Sequence, residues 1–230
     1  MTTPRPLKVL YHLHPNLDTL DLCGPLELLS HAHFPSTSSP QKAFLPTLTA
    51  VSDLITTDQG LKIHPDIPIS TAYTTLSSYD ILIIPGGGSP GVLEGKTEPL
   101  ELIKAFFSLP KKERKDDDPL KGERILMSVC TGSLFLAAAG VLDGLAGTTH
   151  PYYYGKFREI LNGRGKVLEE RFVVNGTGEE GGVRVVTCGG VSCGMDGSLW
   201  LIERVVGREA KEKVMEIVQY NGRDGEGVIV

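Results

Sequence analysis

Cysteine is scarce in this chain of 230 residues: there are four, Cys23, Cys130, Cys188 and Cys193. Their number and irregular spacing exclude a disulfide framework, and none forms a Cys-x-x-Cys metal half-site, so reduced thiols are expected. An excess of basic residues is lacking too. The formal charge is −5 and the isoelectric point about 5.7, with no basic stripe, which argues against nucleic acid or an anionic membrane as the main partner. No run of about 18 apolar residues is present, and Met1-Thr2-Thr3-Pro4-Arg5-Pro6 leads straight into a strand pattern rather than a signal-peptide core. A cytoplasmic protein acting on a small molecule is the expectation. Repeats and low-complexity segments are also missing, so the length points to a single domain over residues 1–230.

What is present is an alternation of strand and helix patterns, the signature of an α/β sheet covered on both faces. Strands are predicted at residues 7–14, 45–51, 80–84, 125–129, 172–175 and 183–188, with a hairpin joining 54–57 to 61–63 and a turn over 176–182. Helices are predicted at 24–31, with Pro25 in the first turn, and at 98–107, 131–139, 152–161, 195–206 and 209–220. The run Asp80-Ile81-Leu82-Ile83-Ile84 is continuously apolar after its first residue, as in buried parallel strands. Residues 110–122 carry dense charge of both signs between prolines and read as a solvated surface loop.

The strand Ile125-Leu126-Met127-Ser128-Val129 stops at Cys130, and Thr131-Gly132-Ser133 opens a helix at once. A thiol on such a corner resembles the nucleophile elbow of α/β-hydrolases. The helix N-terminus is expected to lower its pKa toward neutrality. The alternative is a small buried hydrophobe at the end of a core strand.

With that elbow placed, Leu20-Asp21-Leu22-Cys23-Gly24-Pro25, Ile84-Pro85-Gly86-Gly87 and Thr187-Cys188-Gly189-Gly190-Val191-Ser192-Cys193-Gly194-Met195-Asp196 resemble the DJ-1/PfpI (ThiJ) superfamily. Within it the chain looks most like isonitrile (isocyanide) hydratases, through Ser128-Val129-Cys130-Thr131-Gly132-Ser133, Ala138-Ala139-Gly140-Val141-Leu142 and Thr148-Thr149-His150. The resemblance implies a flavodoxin-like, mostly parallel sheet, a homodimer, no cofactor and three site residues. These are Cys130 as nucleophile, Asp21 beside it as acid and base, and Thr131 as a contributor. Attack of the thiolate on an isonitrile carbon would give a thioimidate, and water would then release an N-substituted formamide.

Other residues carry a functional and a plain reading together. Asp21 in a dry pocket would have a raised pKa suited to proton transfer, or it caps a helix ahead of Gly24 and Pro25. Thr131 touches the thiolate or merely caps its helix. It replaces the histidine that PfpI-type proteases resemble one another in having there, so an adjacent Cys-His dyad is excluded. Gly86 and Gly87, at the carboxyl end of a strand, offer N–H groups to substrate or to developing charge. Gly86, Gly88 and Gly91 fit a dinucleotide spacing only loosely, with Pro90 interrupting the helix start, so no NAD is expected. His150 is the histidine that could complete a Cys-His pair from another loop; Pro151 follows it where similar hydratases have tryptophan. His12 and His14 lack a third ligand and point to no metal. Glyoxalase III-like conversion of methylglyoxal and a redox role for Cys130 are the competing readings. A DNA-binding regulator is not expected, because only about ten residues follow the last predicted helix.

Overall fold

A strand made only of isoleucine and leucine is stable when both of its faces are covered. In the computed structural model of the protein, which describes residues 4–35, 40–176 and 182–230, Ile81–Ile84 lies inside an eight-stranded sheet. The strands are β1 (Leu7–Leu13), β2 (Phe44–Ala50), β3 (Ile67–Pro68), β4 (Ile81–Ile84), β5 (Arg124–Val129), β6 (Phe172–Val174), β7 (Val183–Cys188) and β8 (Gly227–Ile229). Their order across the sheet is β8-β6-β7-β5-β4-β1-β2-β3, and every neighbouring pair is parallel except β6 with β7.

Successive side chains of β4 feed two separate cores. Ile81 and Ile83 join Val9, Tyr11, Ile125, Met127 and Leu199 on one face, whereas Leu82 and Ile84 join Leu10, Leu126, Phe106 and Phe135 on the other. The first face is covered by α1 (Thr19–His31) with two helices from the C-terminal half. The second lies under five helices from the middle of the chain, with α2 (Ile69–Thr75) on its outer strands, then α3 (Ser89–Gly95), α4 (Leu100–Phe107), α5 (Gly132–Ala138) and α6 (Tyr154–Leu161). The helices completing the first face are α7 (Cys193–Val205) and α8 (Arg208–Val218). Each fully buried leucine or isoleucine contributes about 1.5–3 kcal/mol relative to an exposed one, so these two layers dominate the stability. This is a flavodoxin-like, mostly parallel sheet with helices on both faces. Among the described residues no helix is long and apolar enough to cross a membrane.

Several elements depart from the sequence expectation. Helix α1 starts at Thr19, five residues early, because Asp18 caps it and accepts the N–H groups of Leu20 and Asp21 at 3.0 and 3.3 Å. Pro25 therefore sits inside the helix, where it has no N–H to give the carbonyl of Asp21 four residues back. Elements β3, α2, α3 and β8 are too short to impose a period on the sequence, and α3 does begin directly after Gly88, with Pro90 in its first turn. The charged segment is anchored rather than simply solvated: Lys112 pairs with Asp80, and Asp118, buried, pairs with Arg5 at 3.1 Å. The expected turn over 176–182 falls largely on residues 177–181, outside the described residues.

Candidate active site

Strand β5 ends at Val129 and α5 begins at Gly132, so Cys130 and Thr131 make the whole corner. Cys130 has φ of 55°, a left-handed conformation that side chains other than glycine adopt rarely and that surrounding structure has to hold. Its N–H donates to the carbonyls of Cys188 and Gly189 at 3.0 and 2.8 Å, and its own carbonyl accepts the Thr149 hydroxyl at 2.9 Å. At Gly132 a β-carbon would lie 2.5 Å from the Ile84 carbonyl, so only glycine lets the turn close on the end of β4. Cys130 is 6% exposed. The backbone N–H groups of Thr131 and Val191 and the carboxyl of Asp21 face it.

Asp21 is fully buried in the first turn of α1; with Asp18 as the cap, the capping alternative for Asp21 is removed. Its Oδ2 accepts the Gly86 N–H at 2.9 Å, and its Oδ1 has no nitrogen or oxygen partner among the described residues. Thr131 makes no cap hydrogen bond with its side chain; its Oγ1 accepts the Gly87 N–H at 2.9 Å instead. Gly86 is wedged between the two, since a β-carbon there would stand 2.6 Å from the Thr131 nitrogen and 2.9 Å from Asp21 Oδ2.

This arrangement corrects two expectations. The N–H groups of Gly86 and Gly87 are committed to Asp21 and Thr131, so they orient side chains and are not open to a substrate. The groups aimed at the sulfur belong to Thr131 and Val191. Sequence reading missed Val191 because its contribution is a backbone N–H; the available signal was the Gly189-Gly190 pair before it. Its φ of 31° is an outlier for a β-branched residue.

The second correction concerns the thiol. Burial, with the charge of Asp21 adding to it, pushes Cys130 up to about 12 against the opposing N–H groups of Val191 and Thr131. Burial likewise raises Asp21 to about 8; Asp18 adds to the rise, and the Gly86 N–H and Cys130 oppose it. The seven-residue helix α5 does not offset desolvation next to a carboxylate. Two acids this close in a dry site do not both ionise, so they titrate as a pair whose first lost proton leaves one shared negative charge.

His150 sits at the rim. It is half-buried, lies against Gly190, accepts the Tyr152 N–H on Nδ1 at 3.2 Å and packs edge-on against the Tyr152 ring with centroids 5.0 Å apart. Among the described residues it makes no hydrogen bond to Cys130, so a Cys-His pair is not formed. His12 and His14 lie buried on β1 and its end, and no group of three or more His, Cys, Asp or Glu side chains arranged for a metal occurs among the described residues. Cys188 and Cys193 are buried, Cys23 is half-buried, and all four cysteines are free.

The DJ-1/PfpI family model matches residues 7–192. The chain belongs to that family. It is 27% identical over 215 residues to the isonitrile hydratase of Pseudomonas putida, an alignment covering 93% of this chain and 78% of that protein. A THiJ/PfpI family protein from Pseudomonas syringae superposes with a TM-score of 0.69 at 21% identity, over 95% of this chain and 76% of that one. Drosophila melanogaster DJ-1beta gives 0.70 at 16% identity, over 94% of this chain and all of that one. At these identities the structural likeness speaks to the DJ-1/PfpI fold alone.

Proposed function

We propose that this DJ-1/PfpI protein is a cofactor-free, thiol-dependent hydratase that converts an isonitrile to an N-substituted formamide. The observation that carries the reading is a fully buried carboxyl beside an elbow thiol, with one oxygen lacking a nitrogen or oxygen partner and two backbone N–H groups turned to the sulfur. The similarity to an isonitrile hydratase supports the choice of substrate class.

In the reactive form the pair carries one proton. Cys130 sulfur attacks the terminal carbon, forming the C–S bond, while Asp21 gives the proton to that carbon; the product is a thioimidate beside an ionised Asp21. Asp21 then takes a proton from water as hydroxide adds to the thioimidate carbon, and the water's other proton ends on nitrogen. The C–S bond breaks, the formamide leaves, and thiolate and protonated Asp21 are restored. Thr131 holds the Gly87 loop and, with Val191, turns an N–H toward the charge on sulfur. The homodimer implied by the family resemblance and the cytoplasmic location expected from the sequence belong to the same proposal; light scattering on the purified chain reads the former.

The test is formation of N-substituted formamide from cyclohexyl or para-nitrophenyl isocyanide by wild type and Cys130→Ala. Turnover that disappears in a folded Cys130→Ala supports the reading. Absence of turnover by the reduced, folded wild type overturns it in favour of the competing readings, methylglyoxal conversion and a redox role for Cys130.

A further inference from the structure

The Gly86–Gly87 segment has four backbone polar groups, and each has a partner. The Gly86 carbonyl accepts the Asp18 N–H at 2.9 Å, the Gly86 N–H goes to Asp21, the Gly87 N–H goes to Thr131, and the Gly87 carbonyl meets His14 Nε2 at 3.0 Å. Three of these are backbone groups or residues of the machinery already described. His14 is the exception. It is a 2% exposed imidazole just past the end of β1 that no step of the reaction uses.

A carbonyl can only accept, so the hydrogen bond fixes the proton of a neutral His14 on Nε2 and leaves Nδ1 bare and buried, without a partner among the described residues. The ring also packs edge-on against Phe135 of α5, centroids 5.3 Å apart, and stacks at 6.1 Å on His12. His14 thus ties together the end of β1, the Gly86–Gly87 loop and the helix that begins after Cys130.

We propose that His14 is a positioning residue for the Asp21–Cys130 pair, holding the Gly87 carbonyl so that the adjoining N–H groups stay aimed at Asp21 Oδ2 and Thr131 Oγ1. The proposal rests on the reading of those two residues as the reacting pair. Burial lowers His14 to about 4, so the clamp stays neutral and does not switch near physiological pH. The other titratable groups around the pair are Asp18 at the cap of α1, Cys188 at the end of β7 and Cys193 at the start of α7; His12, lowered to about 3, faces His14 from β1.

The test compares His14→Leu, which fills the space without a donor, with His14→Gln, whose amide can donate to the same carbonyl. The substrate-independent readout is the pH dependence of Cys130 alkylation by iodoacetamide, followed by peptide mass spectrometry. Loosening the Gly86 N–H removes a bond that favours the Asp21 carboxylate, so His14→Leu is expected to move the first midpoint upward by about half a unit or more. Formamide kcat is expected to fall about tenfold with KM little changed, and His14→Gln to restore most of both. A folded His14→Leu with the wild-type midpoint and kcat, or a His14→Gln as impaired as His14→Leu, overturns the proposal. Long-range 15N NMR of the wild type decides independently of any variant: the Nε2–H tautomer is expected, and an Nδ1–H or averaged ring contradicts it. The alkylation and tautomer readouts hold even where no isonitrile is turned over, so failure of the clamp and failure of the hydratase reading are separable.

Discussion

A fully buried carboxyl group lies at each end of strand β4, Asp80 just before Ile81 and Asp21 of α1 against Gly86, and the two are treated in opposite ways. Asp80 receives the Arg5 guanidinium on both oxygens at 2.9 Å, the Lys8 N–H at 2.8 Å and the Lys112 ammonium. Burial pushes its pKa up, yet the donors outweigh burial and hold it below the ordinary carboxylate range. Asp21, equally buried, has one N–H and is pushed up to about 8. Burial is common to both; the number of donors decides whether the group is charged. The end of the sheet with four donors is a structural tie that also pins the 110–122 segment. The end with one donor keeps a proton available beside a thiol.

The comparison breaks most severely at Asp21. Asp21→Asn is expected to lower formamide kcat by about 10²–10⁴-fold, the range for losing a positioned acid–base group. It is expected to stabilise the fold, with a pH dependence of definite sign. In the wild type the folded pKa lies above the unfolded value, so the contribution of the neutral carboxyl is complete below about 4 and is lost as pH rises through about 8. The excess in Tm of Asp21→Asn over wild type should therefore widen between pH 4 and pH 9 in thermal melts. Asp80→Ala gives the mirror image. It leaves Lys112 without its carboxylate and Arg5 with Asp118 alone, and is expected to cost about 3 kcal/mol in urea unfolding, with unchanged formamide kcat per folded molecule. Smallest of the three, Arg5→Lys keeps the charge but not the two-pronged guanidinium, and should cost about 1 kcal/mol.

The same contrast marks what could be read from the sequence. The corner at Cys130 and the buried run of β4 were legible because residue type dictates them: a thiol between a strand pattern and a helix pattern, and an apolar stretch without alternation. Asp21 was legible as a candidate through its motif, but its environment was not. The start of α1 depends on Asp18, which competes with Asp21 for the cap, and Pro25 drew the predicted start forward although it lies inside the helix. The roles of Gly86, Gly87 and Val191 escaped because they reside in backbone N–H groups, whose direction no side chain announces. The rise of the thiol escaped for a further reason. Helix position alone pointed to a lowered pKa, while desolvation and the adjoining carboxyl, which exist only after folding, act the other way and win.

The most direct measurement of the account is a 13C NMR titration of the aspartate side-chain carboxyls in protein labelled at aspartate, with Asp21→Asn and Asp80→Asn used to assign the two signals. The account predicts that Asp21 titrates near pH 8 and Asp80 below the ordinary carboxylate range. An Asp21 midpoint at ordinary carboxylate values, with the group already ionised at pH 6, would contradict it, since Asp21 would then not be the group that holds the proton for the carbon of the substrate.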